Sequence, residues 1–138
     1  MVIQRIQSVY LLIVSILMAI YSFMDVVLVQ TATSMEKLSL FNAGKIPFIL
    51  SVLVAVISFL TIFKYKKMNL QITLCSVSIL LVLTQVVLLV VEVFSMNYSN
   101  VEFFICNCVP ILAVIFLGLS IAAIKRDKKI LSGYDRLR

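Results

Sequence analysis

Four uninterrupted apolar stretches dominate the chain, at about 8–29, 46–63, 71–94 and 103–124. Crossing the hydrocarbon core of a bilayer takes about 20 helical residues at about 1.5 Å each, and each stretch is close to that length. Transmembrane β-strands are shorter and alternate apolar with polar residues. No such alternation is present, and the run of Ser78 to Leu83 is apolar all round, as suits a helix partly facing lipid. Composition leads to the same conclusion. Of 138 residues 63% are apolar and 13% charged, with a mean hydropathy of +1.18, whereas soluble domains are about half apolar and about a quarter charged. A chain this short has too little interior for that excess, so much of it must face lipid. A soluble enzyme, a disordered regulator and a disulfide-stapled secreted module are excluded. The expected fold is all-α: a single domain over residues 1–138, forming a four-transmembrane-helix bundle.

Charge then sets the expected orientation. Arg5 precedes the first stretch, Lys64, Lys66 and Lys67 follow the second, and Lys125, Arg126, Lys128, Lys129, Arg136 and Arg138 follow the fourth. Ten of the twelve basic residues thus fall on one side, leaving Lys37 and Lys45 opposite. Basic residues in short loops are retained in the cytoplasm, which predicts cytoplasmic N and C termini. The net charge of +6 reflects this sidedness and needs no nucleic-acid partner. The opening segment resembles a secretory signal only superficially. Its apolar run is too long and lacks a convincing small-x-small site, so it reads as an uncleaved first span. Tyr10 and Tyr65 are expected at the inner headgroups and Tyr98 at the outer ones.

The connections 64–70 and 95–102 are short and make consecutive spans antiparallel neighbours. The outer loop 30–45 is the one sizeable connection. There Thr33-x-x-Glu36 fits a capping box that would start a short interfacial helix. Asn42-Ala43-Gly44 signals a turn, and Pro47 suits the first turn of span two. No internal repeat is evident, which argues against an inverted-repeat transporter. Small residues recur at helical spacing: Ser15, Ala19 and Ser22 in span one, Ser51, Ala55 and Ser58 in span two, Gly118 and Ala122 in span four. Such stripes let helices approach closely in lipid, either within the bundle or against another subunit.

Ionisable residues at mid-depth are costly and usually functional, and the spans carry essentially none. Asp25 and Glu92 fall near the outer ends of spans one and three, where pairing with Lys37 or Lys45 is the first expectation and a proton or cation site the second. Gln85 is the deepest strongly polar side chain, expected to hydrogen-bond across the bundle. Cys106-Asn107-Cys108 lies near the outer end of span four. Four-span quinone-linked disulfide oxidoreductases carry Cys-x-x-Cys instead, and residues i and i+2 of a helix point apart. Cys75 lies roughly 20–25 Å away along the axis and cannot be the partner. The chain has no His, so His-based metal and acid–base sites are excluded. No Gly-rich phosphate loop or nucleophile elbow is present. No cofactor is implied. Pro110 predicts a kink or late start in span four.

The two ends carry more pattern than the middle. Ile3, Ile6 and Tyr10 fall on one face, with Gln4, Arg5, Gln7 and Ser8 around the other, giving an amphipathic entry to span one. In the basic tail 125–138, Ile130, Tyr134 and Leu137 form an apolar stripe, suited to anionic inner-leaflet lipid or a protein partner. Base-stacking aromatics do not accompany the charge, so nucleic acid is not expected. The opening Met1-Val-Ile-Gln-Arg-Ile-Gln-Ser-Val-Tyr-Leu-Leu and the closing Ser132-Gly-Tyr-Asp-Arg-Leu-Arg resemble a family of small bacterial inner-membrane proteins. That family is known only as a domain of unknown function and is largely confined to one phylum of Gram-negative bacteria. Its members begin Met-Ile-Gln-Arg-Ile-Gln-Ser/Thr-x-Tyr-Leu-Leu and end near Ser-x-Asp-Arg-Leu/Ile-Arg; Val2, Gly133 and Tyr134 are departures. The resemblance implies four spans and no particular activity. It singles out Gln4, Arg5, Gln7, Asp135, Arg136 and Arg138, and suggests that the two ends meet with Arg5 near Asp135.

Together these patterns point to a non-enzymatic membrane subunit, an accessory or assembly factor of a larger inner-membrane complex. It would dock through small-residue helix faces and the basic cytoplasmic ends onto other membrane subunits. The alternatives are a small oligomeric transporter or channel and, less favoured, a membrane thiol/quinone oxidoreductase.

Overall fold

A computed structural model describes residues 2–30, 33–64 and 66–137, with side chains from Ile6 onward. In chain order the elements are α1 (Val2–Phe23), β1 (Asp25–Gln30), β2 (Met35–Ser39), α2 (Leu40–Ala43), α3 (Lys45–Phe63), α4 (Met68–Ser95), β3 (Asn100–Phe103), a 3-10 turn (Ile105–Asn107) and α5 (Cys108–Arg136). The helices α1, α3, α4 and α5 are each long and apolar enough to cross a membrane. The chain is a multi-pass membrane protein with an all-α four-helix bundle at its centre. Each of α1 and α4 packs against both α3 and α5, closing an antiparallel ring. Both chain ends lie at one end of the bundle, called here the terminal end; the strands lie at the other, the sheet end.

The ring is held by seams at alternating three- and four-residue spacing, which keep one stripe of each helix facing its neighbours. On α4 the buried stripe is Gln71, Cys75, Ser78, Val82, Gln85 and Leu89. On α5 it is Ala113, Leu117, Ser120, Ile124 and Asp127. Only 22% to 39% of each span is buried, so most of every helix surface is left for lipid. The interior is therefore more polar than the exterior. Its hydroxyls are mostly satisfied locally: Ser22 donates to Met18 O at 2.8 Å, Ser51 to Phe48 O at 2.7 Å and Ser78 to Leu74 O at 2.9 Å. Ser22 Oγ and Ser51 Oγ also lie 2.7 Å apart, so either hydroxyl can turn its one proton from its own helix to the other serine and tie α1 to α3. Gln71 Nε2 reaches Thr61 O at 3.1 Å and closes the α3–α4 turn.

The connections at the sheet end differ from expectation in three places. First, α1 ends at Phe23 and not at Val29, because residues 25–30 form the central strand of a three-stranded antiparallel sheet of order β2-β1-β3. Its 22 residues already span about 33 Å, enough for the hydrocarbon core. The β-branched Val26, Val27 and Val29 favour a strand once two partners are available, and all three are buried. A sheet with open edges cannot face lipid, so it lies beyond the hydrocarbon. Second, Glu36 belongs to β2 and not to a capped helix; the short helix is α2, anchored by buried Leu40 and Ala43. Third, residues 100–103 pair with β1, so span four starts at Cys108 with Pro110 in its first turn, where a missing N–H costs nothing. Tyr21, Val26, Val27, Val29, Leu40 and Leu89 pack together and join the sheet to the bundle. Asn97, at φ 50°, takes the left-handed conformation that stops α4.

Gln85 is fully buried, yet neither Nε2 nor Oε1 has a hydrogen-bond partner, and Ser58 Oγ is likewise unpartnered. The expected cross-bundle hydrogen bond is absent, because the stripe places Gln85 between Val82 and Leu89, residues of the two apolar clusters. An unpaired buried amide costs about 1–3 kcal/mol. Gln85→Leu is therefore expected to stabilise the bundle by about that amount, read as a higher unfolding temperature in mild detergent.

Candidate functional site

The terminal end concentrates the polar features of the molecule. There the seams of α1 and α5 each finish on a polar residue, Gln7 and Asp127, and Gln7 Nε2 donates a hydrogen bond to Asp127 Oδ2. Both residues are buried. The pair joins the first and last helices across 120 residues of chain and closes the ring at its open seam. Asp127 belongs to a run that otherwise reads as solvated charge, since Lys125, Arg126, Lys128 and Lys129 are all exposed. Helical periodicity turns it inward. The spacing of Ala113, Leu117, Ser120 and Ile124 continues onto position 127, and that continuation is the signal by which the sequence could have revealed it. Lys128 Nζ donates to Asn69 Oδ1 at 2.6 Å, linking α5 to the start of α4.

The expected meeting of the ends thus runs through Gln7 and Asp127. The side chains of Gln4 and Arg5 and all of Arg138 lie outside the described residues, as does Tyr65, so the Arg5–Asp135 pairing falls outside them too. Asp135 and Arg136 are exposed on the last turn of α5. That helix continues without a break from the span through the tail to Arg136, so Ile130, Tyr134 and Leu137 project from its end as exposed apolar residues.

Small residues divide into two groups. Ser15, Ser22, Ser51 and Ser58 are buried in the bundle and Ala55 is half-buried against its core, whereas Ala19, Gly118 and Ala122 are exposed. A Cβ at Gly118 would meet nothing within 4 Å. Ala122 and Ala123 line a groove of about 300 Å³ between α1 and α5, with Ile6, Tyr10 and Leu119 as apolar walls and Arg126 at its rim.

At the sheet end, the Cys106-Asn107-Cys108 motif works through its asparagine. Asn107 Nδ2 donates to Val26 O at 2.8 Å and Phe104 O at 3.1 Å, while Oδ1 accepts from Tyr21 OH at 3.0 Å. One side chain therefore fixes α1, β1 and the start of α5. All three cysteines are free thiols, with Cys75 buried in the bundle. Among the described residues no ion pair joins Asp25 or Glu92 to Lys37 or Lys45, a departure from the first expectation for these acids. Lys37 and Lys45 are exposed, on β2 and at the start of α3. Glu92 instead folds against Gly44, its carboxylate filling the space that a Cβ there would need.

Compared with known proteins, the chain matches the family model "Domain of unknown function (DUF4293)" over residues 3–137. The chain belongs to the DUF4293 family. No match is found among curated proteins or among solved structures. The DUF4293 match takes in both Gln7 and Asp127, so the helix-closing pair lies within the family domain.

Removing one partner of that pair strands the other. Gln7→Leu leaves the Asp127 carboxyl buried without its donor and is expected to cost about 1–3 kcal/mol or more. Adding Asp127→Leu should recover much of the loss, because an apolar pair leaves nothing unsatisfied. Thermal unfolding of the two single variants and the double variant measures this directly, with additive losses as the opposing result.

Proposed function

We propose that this DUF4293 chain is a non-enzymatic subunit or accessory factor of a larger complex in the bacterial inner membrane, with both termini in the cytoplasm. The observation that carries the reading is the groove between α1 and α5 lined by Ala122 and Ala123, with Gly118 exposed one turn earlier on α5. Most of the small residues of the stripes on spans one and two are used inside the bundle, while Gly118 and Ala122 of span four face outward. A groove floored by small residues is what a neighbouring transmembrane helix needs for close approach. Arg126 stands at its rim, and the basic end of α5 extends from it as a rigid helical arm. The ten basic residues on one side support the N-in, C-in orientation through the positive-inside rule. The expected partners are other membrane subunits, with anionic inner-leaflet lipid around the tail.

One observation favours a second reading, a small oligomeric transporter: Gln85 and Ser58 leave unpartnered polar atoms inside the bundle. Gentle extraction through an outer-loop tag, with the tail left free, separates the two. The accessory-subunit reading expects stoichiometric partners that are lost on Gly118→Leu with Ala122→Leu. Both positions are exposed, so the bundle itself should unfold at an unchanged temperature. A lone particle of one or a few identical chains would overturn that reading in favour of transport.

A further inference from the structure

A second recess at the terminal end is unlike the α1/α5 groove. It lies where the α3–α4 turn meets α5, has a volume of about 480 Å³, and is lined by Lys66, Lys67, Met68, Asn69, Leu70 and Lys128. Of the six described lining residues three are cations and none is acidic. Asp127, the acid next in sequence to Lys128, is turned into the bundle and bonded by Gln7. Lys128 is held in place by donating to Asn69 Oδ1, an acceptor that leaves its charge intact and further ammonium protons free. The first turn of α4 adds no acid and no side-chain cap. Among the described residues that line the recess, none offsets its positive charge.

The surroundings indicate which anion answers it. Immediately before the turn, α3 ends in Phe59 and Phe63, stacked edge to face at 5.3 Å and both exposed. Leu70, on the wall of the recess, is also exposed. Cations at a helix-pair turn, with exposed apolar Leu70 on the recess wall and exposed phenylalanines at the adjoining end of α3, match a phosphate headgroup whose acyl chains lie along the span. We infer that Lys66, Lys67 and Lys128 form a binding site for the headgroup of one anionic phospholipid, in the recess between the α3–α4 turn and α5. This site depends only on the chain being a membrane protein. It does not depend on the subunit reading, so a lone particle in the extraction experiment would leave it standing.

The test uses the full chain purified in mild detergent. Phosphatidylglycerol is titrated against phosphatidylcholine of the same acyl chains, with binding read by native mass spectrometry and by thermal shift. Phosphatidylglycerol is expected to bind and raise the unfolding temperature, and phosphatidylcholine to do neither. Lys67→Gln with Lys128→Gln should weaken binding roughly 30-fold, at about fivefold per lysine near the headgroups. Lys125→Gln with Lys129→Gln removes the same charge outside the recess and should change binding by no more than about twofold. Equal losses in the two double variants would overturn the site in favour of diffuse attraction by the tail. Protection by inorganic phosphate equal to that by phosphatidylglycerol would overturn the lipid assignment.

Discussion

The bilayer offers polar groups no partner, and the rest of this structure depends on that constraint. With lipid outside, a hydroxyl facing outward, as at Ser76 and Thr84, is tolerated by bonding a carbonyl of its own helix. A buried glutamine must lie against another helix. The three-and-four seam provides that place on all four helices. Small hydroxyl residues at seam positions do two things at once: they let backbones approach, and they return their own proton to the carbonyl one turn earlier. The bundle thus coheres with few large interior side chains. It closes where the first and last helices meet, through Gln7 and Asp127 at one end and Tyr21 and Asn107 at the other. A ring of four helices in chain order has one seam, between α1 and α5, whose helices are not consecutive in the chain, and these two hydrogen bonds sit on that seam.

Hydropathy made the four spans legible because lipid imposes length and apolarity together. The sheet was not legible for the same reason. Val26, Val27, Leu28 and Val29 extend the first apolar run, and a window that sums hydropathy cannot tell a strand from one more helical turn. What decides their state is non-local: 35–39 and 100–103 are both positioned to pair with them. Glu36 misled for a related reason, since a capping box is a local signal and the strand pairing that overrides it is not. Pro110 was informative because its constraint is covalent and local, and the helix does begin close before it.

The candidate sites follow the same division. Gln7 was marked by the terminal motif, but Asp127 was hidden within a run of basic residues, and only the seam phase distinguishes it from its neighbours. In Cys106-Asn107-Cys108 attention falls on the thiols because thiols carry chemistry. The geometry shows instead an amide whose three hydrogen bonds reach Tyr21, Val26 and Phe104, beyond any pattern of spacing. Gln85 was visible as the deepest polar residue, yet its lack of a partner is a property of the packed bundle.

Closure and docking are thereby separated on α5. Its inward stripe ends in Asp127, which fixes the helix to α1, while its outward face carries Gly118, Ala122, Arg126 and then the exposed basic turns to Arg136. At 29 residues the helix is about 43 Å long, more than the hydrocarbon core requires, so its last turns extend past the membrane boundary. Because Gln7 grips the helix near that boundary, the extension is anchored rather than hinged. A partner meeting Arg136 and one meeting Ala122 would then contact a single rigid body, and the angle between the two contacts is set by the bundle and not by a linker. A flexible tail would allow each contact to form without the other. On the proposed docking reading, the continuous helix would make them one interface, with the Gln7–Asp127 hydrogen bond as its fixed point.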